Sequence, residues 1–560
     1  MKRLVLVTVL LSSISVGLCQ YDNVFDEEKL NGTDGFEILK ADGSSDFSDN
    51  VRFIGDINGD GIEDIGISDF TLPKEQDGDM LDFVGEAYII FGSENGFPAT
   101  FDVNSLDGTN GFIVEGIDEN DECGNKLGAV GDVNGDGIDD VIIKTKHDTV
   151  SVIYGHEGDF PERLNRLDID GSNGFLITLP EDEEYSRSAR DVSGAGDING
   201  DGRPDIILST RTISSEEAWV IYGRDNDFPA QVNMHYLDGT RGFRIDCDYE
   251  SSRPAYHVGA IGDVNGDGID DFYIGSWVRT SSPAEERLSY VVYGNDSFDD
   301  FFSIHDLEDQ ERLKVLNSGN SHIAFMDGLG DINNDGTDDF YSGNYVIYGD
   351  NNLPAEINVE EMSTSEGFRL PGRYYNTGIG DFNEDGIDDF IIQDDCWMKG
   401  ENAHVIFGSP EGFSTAFDPD DIDGEIGFTV ENTTRNVGRP LDGGRDFNGD
   451  GIPDILVGDL DNNRAMVIFG GAPVLTSLSE KFEQPGIELY PNPVQNGKVR
   501  IDYSSSKKST FSLKIYDMQG VLKYTTEDFQ HNQSLDVSTW KPGVYLLNVD
   551  NDQTTKLVIN

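Results

Sequence analysis

At 560 residues the chain is too long for one ordinary compact core, and 37% hydrophobic residues with 65 glycines against 39 Lys and Arg suit a turn-rich all-β protein. Its 107 Asp and Glu give a formal net charge of −68, which repels phosphate backbones and anionic lipid surfaces and excludes nucleic acid as a partner. Most of that acidity reads as solvated surface; the remainder is available to bind metal.

Met1, Lys2 and Arg3 precede an apolar run from Leu4 to Leu11 and a small-residue stretch from Ser12 to Gly17. Residues 1–19 therefore read as a secretory signal peptide cleaved before Gln20. A lipoprotein anchor on Cys19 is the rival reading, disfavoured because Leu18 is bulkier than the small residue such an anchor site wants. Once Cys19 leaves with the signal, Cys123, Cys247 and Cys396 remain, with neither a disulfide framework nor zinc spacing. No other segment approaches the roughly 18 apolar residues of a spanning helix.

From residue 35 onward one unit recurs. Its mark is D-x-N-x-D-G-x-x-D followed by an apolar residue, beginning at Asp56, Asp132, Asp197, Asp263, Asp331, Asp381 and Asp446. Before most copies runs a segment such as GFEIL (35–39) or GFIV (111–114); after each comes an apolar run, a variable connection and a tail such as AYIIFG or WVIYG. Short apolar runs bounded by Gly and Asp, with no sustained helical period, predict strands. About four strands in about 65 residues make one propeller blade, so seven units predict a seven-bladed β-propeller over residues 20–474. A solenoid of the same units would need distinct polar capping repeats, and none is evident. Because the repeats begin with a lone GFEIL and end with MVIFG, the first strand is expected to complete the last blade as a clasp and remove free sheet edges.

Within the repeated loop, positions one, three, five and nine place oxygen donors around one point, and Gly at position six permits the sharp turn. The expected ligands are Asp56, Asn58, Asp60 and Asp64 in the first loop, Asp132, Asn134, Asp136 and Asp140 in the second, and Asp197, Asn199, Asp201 and Asp205 in the third. The fourth and fifth loops offer Asp263, Asn265, Asp267, Asp271 and Asp331, Asn333, Asp335, Asp339. The last two offer Asp381, Asn383, Asp385, Asp389 and Asp446, Asn448, Asp450, Asp454. Position seven varies in side chain (Ile62, Ile138, Arg203, Ile269, Thr337, Ile387, Ile452), as suits a residue contributing only its backbone carbonyl. An all-oxygen set without His or Cys points to Ca²⁺, which takes roughly six to eight such ligands, and away from zinc, copper or a magnesium cage. One copy could be a metal-free Asx-rich turn; seven copies with every ligand position intact argue for up to seven structural Ca²⁺.

These residues resemble the FG-GAP repeats of the integrin α-chain β-propeller and its bacterial relatives, over roughly residues 21–472. The resemblance implies a calcium loop between the first two strands of each blade, with partners meeting the opposite face. The GAP-like segment after the second strand is mostly missing, and the fifth repeat is shortened, with SGNYVIYG following its loop almost directly. Animal-integrin function is therefore not carried over.

After an expected linker over 475–486, the sequence reads ELYPNPVQNGKVRIDY from Glu488, then FSLKIYDMQGVLK, LDVSTWKPGVYLLNV and a terminal KLVIN. Alternating strands predict a small Ig-like β-sandwich over 487–560. Its Tyr490, Pro491, Asn492, Pro493 and the stretch from Lys541 to Tyr545 resemble the sorting domain of the Bacteroidetes type IX secretion system. That resemblance implies the secretion machinery as a partner and a product released or held at the cell surface. An appended binding module is the plain alternative.

The eight histidines occupy no repeated position and form no HExxH arrangement, so no catalytic residue is assigned and the chain is not expected to be an enzyme. Trp219, Trp277 and Trp397 fall at different places in their repeats, which argues against a sugar-stacking platform in every blade. Residues expected on the face opposite the loops are Tyr185, Arg187, Arg190, Tyr249, Arg253, Tyr256, Trp277, Tyr374, Tyr375 and Trp397, aromatic and Arg anchors of the kind that dominate interfaces. The favoured function is a calcium-stabilised adhesion or binding scaffold for an extracellular protein or glycan; a lectin-like module and an extracellular polysaccharide-degrading enzyme or accessory are the alternatives.

Overall fold

The computed structural model describes residues 24–471 and 487–559 except for short connections, chiefly 26–29, 41–46, 180–187, 212–215, 248–252, 278–286, 318–325, 371–375, 394–401, 431–436, 491–493, 495–497 and 504–509. It is all-β, with helix among the described residues confined to short 3-10 turns such as Val103–Ser105 and Met234–Tyr236. Two compact units divide the chain, Met1–Ala472 and Pro473–Asn560.

In the first unit every D-x-N-x-D-G loop joins the first and second strands of one sheet, giving seven sheets numbered here by their loops. Sheet one runs Asn50–Gly55, Asp64–Asp69, Glu86–Ile90 and Gly111–Glu115, all antiparallel neighbours, with Arg163–Leu164 added in parallel at its edge. Sheets two, three, four and six repeat that order, and sheet five has four strands. Sheet seven takes its fourth strand from the start of the repeats: Gly35–Leu39 pairs antiparallel with Arg464–Ile468, Phe36 opposite Val467 and Ile38 opposite Ala465. Each first strand contacts the first strand of the next sheet, and that of sheet seven, Val437–Arg445, contacts that of sheet one.

The reason these segments hold as strands is burial on both faces. Second and third strands are almost wholly buried, as in Ile206–Thr210 and Ala218–Ile221, because each sheet packs against one on either side. Seven apolar clusters fill the spaces between consecutive sheets, one of them joining Phe36, Ile38 and Phe53 to Phe447, Leu456 and Val467 across sheets one and seven. In five of the six GF segments the Phe stacks on a second Phe from the following connection: Phe36 on Phe97 (4.4 Å between centroids), Phe112 on Phe160 (4.6 Å), Phe175 on Phe228 (4.2 Å), Phe243 on Phe298 (4.5 Å) and Phe368 on Phe413 (4.7 Å); Phe428 of sheet six makes tilted contacts with Phe25, Phe382 and Phe407 instead. Sheet four has Leu313 in that place.

The second unit has a three-stranded sheet (Ile487–Tyr490, Lys498–Tyr503, Gln533–Asp536) and a four-stranded one (Thr510–Asp517, Leu522–Gln530, Gly543–Val549, Gln553–Ile559). Both contribute to one core that includes Val499, Ile501, Phe511, Leu513, Leu547 and Leu557. Tyr545 closes the Lys541–Tyr545 stretch on itself, its hydroxyl donating to the Lys541 carbonyl at 2.9 Å. Pro491, Asn492 and Pro493 lie outside the described residues.

Candidate metal centres and the opposite end of the sheets

The seven loops share one hydrogen-bond pattern, which follows from their residue types. The position-one Asp accepts the backbone N–H groups of positions five and six, as Asp56 does from Asp60 (3.1 Å) and Gly61 (2.8 Å) and Asp197 from Asp201 (3.0 Å) and Gly202 (2.7 Å). The position-five Asp accepts the N–H of position seven, as Asp267 does from Ile269 at 3.0 Å. Positions four and six are left-handed throughout. Position six is always Gly, while position four is Gly in five loops and Asn334 (φ 59°) or Glu384 (φ 61°) in the other two.

Position nine is the buried member. The Asp140 carboxylate accepts from Val133 N–H at 3.1 Å and from Gly155 N–H at 3.0 Å, and Asp205, Asp271 and Asp339 are held the same way by position two and by the Gly that ends the third strand. Only Gly fits that strand end, because a Cβ at Gly155 would lie 2.2 Å from the Asp139 carbonyl oxygen. Burial, reinforced by the nearby negative charges of Asp136 and Asp132, pushes Asp140 up to about 8 despite its backbone donors. Asp205, Asp271 and Asp389 are likewise pushed to about 8 and Asp339 to about 9. Burial also raises Asp64 and Asp454.

Position three completes the group. In loops one, three, four, six and seven the Asn carbonyl oxygen accepts the position-five N–H at 2.9 Å. In loops two and five the buried Oδ1 atoms of Asn134 and Asn333 have no hydrogen-bond partner, while their Nδ2 atoms donate to Asp140 and Asp339 at 3.3 Å. Among the described residues no set of three or more His, Cys, Asp or Glu is drawn into a closed cage. Each loop instead offers two carboxylates and an amide around the turn, with the position-nine carboxylate held inward by N–H donors.

At the far end of the first strands lies a different group. Asp191 of sheet three pairs with Lys126 Nζ at 3.0 Å and His257 Nδ1 at 3.1 Å, the latter from sheet four. Burial opposes the Asp191 charge, but Lys126 and His257 hold its carboxyl well below the usual range; burial lowers His257. Beside them the Arg190 guanidinium lies 3.4 Å from the centre of the Tyr256 ring and 3.5 Å from Glu216. Farther along, Arg52 Nη1 donates to the Leu441 carbonyl at 3.0 Å, and Phe53 N–H donates to Asp442 at 2.7 Å. Burial pushes Asp327 up to about 7 in spite of Arg52, and Asp442 adds to the rise.

Of the residues expected on this face, Arg190 and Tyr256 are brought together. Arg253 and Trp277 pair with each other in backbone register on the first two strands of sheet four, their side chains outside the described residues. Tyr185, Arg187, Tyr249, Tyr374, Tyr375 and Trp397 also fall outside the described residues. Lys126, Asp191 and His257 were not expected; their shared position, six residues before each loop, was the available signal. The described histidines are engaged in various ways: His156 stacks on Phe160 at 3.9 Å, and His404 bonds Thr429 at 2.9 Å. Cys123 and Cys247 are free and buried, and burial raises both thiols; Cys396 is outside the described residues.

Residues 488–560 match the family described as the secretion system C-terminal sorting domain. The protein is therefore exported through type IX secretion, to the outer surface or beyond. Among the described residues no helix is long and apolar enough to cross a membrane. Among solved structures the chain is similar to PorZ, an essential surface component of the type-IX secretion system of Porphyromonas gingivalis, with TM-score 0.37 and 12% identity over 92% of this chain and 60% of that one. It is also similar to the rhamnogalacturonan lyases YesX (TM-score 0.36, 10% identity, 78% of this chain and 77% of that one) and YesW (0.31, 12%, 81% and 76%). The chain thus spans 60% of the length of PorZ, and likeness at these scores assigns neither fold nor activity.

Proposed function

We propose that residues 20–474 form a seven-bladed, FG-GAP-like β-propeller, stabilised by Ca²⁺ in its seven loops, that serves outside the cell as a binding scaffold and not as a catalyst. On this reading 475–486 is a linker and 487–560 the export signal, which engages the secretion machinery. The observation that carries the reading is the cycle of seven sheets, each with the same oxygen-lined loop and the last completed by Gly35–Leu39. A hard cation fits these loops on two grounds. Every donor is oxygen, and the buried, unpartnered amide oxygen of Asn134 sits beside a carboxylate that burial and two like charges have raised. Seven divalent ions would offset fourteen of the 68 formal negative charges. At a hundredfold excess over its dissociation constant, each would stabilise the fold by about 2.7 kcal/mol.

Partner binding belongs to the end of the sheets away from the loops, where Arg190 is stacked on Tyr256 and the connections differ from repeat to repeat. The test is to screen the exported protein, with calcium, against arrays of surface proteins and of glycans. Replacing Arg190 and Tyr256 by Ala should abolish capture while leaving the calcium-dependent rise in melting temperature unchanged. Full capture by the double variant, or turnover of a surface polysaccharide by the wild type, would count against the scaffold reading.

A further inference from the structure

We propose that the residue at loop position eight is a positioning residue for the cation site of the preceding repeat, and that it links the seven loops into two coupled runs. This rests on the calcium reading above. Asp139, in loop two, accepts the backbone N–H of Asp56 in loop one at 3.1 Å. Asp270 does the same for Asp197 (2.8 Å), Asp338 for Asp263 (2.9 Å) and Asp388 for Asp331 (3.0 Å). In every case the N–H belongs to the position-one residue, whose carboxylate organises the loop.

The fit is specific. The residue before each of these position-one Asp is a Gly, Gly55, Gly196, Gly262 or Gly330, at φ between 74° and 91°. A Cβ there would come within 2.2 to 2.5 Å of the incoming carboxylate oxygen. Two interfaces lack the carboxylate. Position eight is Pro204 in loop three and Pro453 in loop seven, and these rings pack over Gly131 and Gly380, to which they can offer no acceptor. The remaining interface, between loops seven and one, exchanges both partners: Arg445 replaces the Gly and Glu63 the Asp, and they pair at 3.5 Å, with Glu63 N–H donating to the Asp446 carbonyl at 3.1 Å. Loops three to six therefore form one linked run and loops seven, one and two another, separated by the two prolines.

A partner that orients a metal ligand typically carries a factor of about 10 or more in affinity. Calcium titration by calorimetry on the exported protein tests the assignment. Asp270→Ala should weaken one site about tenfold. That site is in loop three, so the loss should vanish when loop three is already disabled by Asp201→Ala and persist when Asp270's own loop is disabled by Asp267→Ala. Asp270→Asn, whose amide oxygen still accepts the N–H, should recover most of the affinity, and Pro204→Ala should change no site. An unchanged titration for Asp270→Ala, an effect confined to loop four, or an Asn variant as weak as Ala would overturn the proposal. A wild type that takes up no calcium and melts identically with chelator would bring down the calcium reading with it. Normal uptake untouched by Asp270→Ala would bring down this inference alone.

Discussion

The two ends of the seven sheets are built on opposite rules. At the loop end, D-x-N-x-D-G-x-x-D recurs with the same hydrogen bonds from its first and fifth positions each time, and its buried Asp is held by the same two N–H donors in nearly every repeat. At the other end stand Lys126, Asp191 and His257 at one level and Arg52, Asp327 and Asp442 at another, and of these only the Asp of sheets five and seven recurs in register. Repetition serves a task every sheet shares, fixing a tight turn and burying its carboxylate. Variation serves what one surface does once.

Calcium withdrawal is the strongest way to break the contrast. Chelator should lower the melting temperature of the repeat unit steeply, since seven sites at about 2.7 kcal/mol each exceed the usual stability of a domain, and should leave residues 487–560 melting as before. Scanning calorimetry with and without chelator reads both; coincident curves would refute structural calcium. Next in size is Phe175→Ala. That ring is fully buried between sheets two and three and stacked on Phe228, so its removal should cost about 3 to 5 kcal/mol, with or without calcium, in denaturant titrations. A loss that appears only with calcium present would mean the stacked pair serves the loops and not the sheet interface.

The repeating end is legible in the sequence because its interactions are local: Asp56 and Gly61, or Ile57 and Asp64, are five and seven residues apart. The pairing of GFEIL with MVIFG is legible for another reason, since each is a strand without its own sheet-mate. The stacked Phe pairs are not legible in the sequence although Phe97, Phe160 and Phe228 each precede a Pro, because only the fold reveals that they cover the GF segments. The variable end was legible only at Arg190 and Tyr256. Its other contacts join distant residues, such as Arg52 and Leu441, 389 positions apart, and no spacing announces them.

Asp327 sharpens the variable end. Its carboxyl is raised to about 7 by burial, so the folded state holds a proton that the unfolded chain releases near pH 4. The stability this proton confers is fully present below pH 4 and is lost as pH rises toward 7. Asp327→Asn, which cannot titrate, should therefore gain on the wild type by up to about 1.4 kcal/mol per pH unit across that window and hold its advantage above it. Parallel melts from pH 5 to 8 measure the difference; curves that stay parallel would show Asp327 ionised throughout.

The smallest effect belongs to the loop end and tests whether its uniformity is backbone-driven. Position four is left-handed in all seven loops, yet loop six places the exposed Glu384 there at φ 61°. A left-handed residue with a Cβ costs about 1 to 2 kcal/mol, and Gly returns part of that gain through its freer unfolded chain. Glu384→Gly should therefore stabilise by up to about 1 kcal/mol, and Asn334→Gly by less, because Asn tolerates this region. Chemical denaturation in calcium resolves a change of that size. If Glu384→Gly destabilises instead, the glutamate side chain contributes something beyond the turn, and loop six differs from its six counterparts in more than backbone.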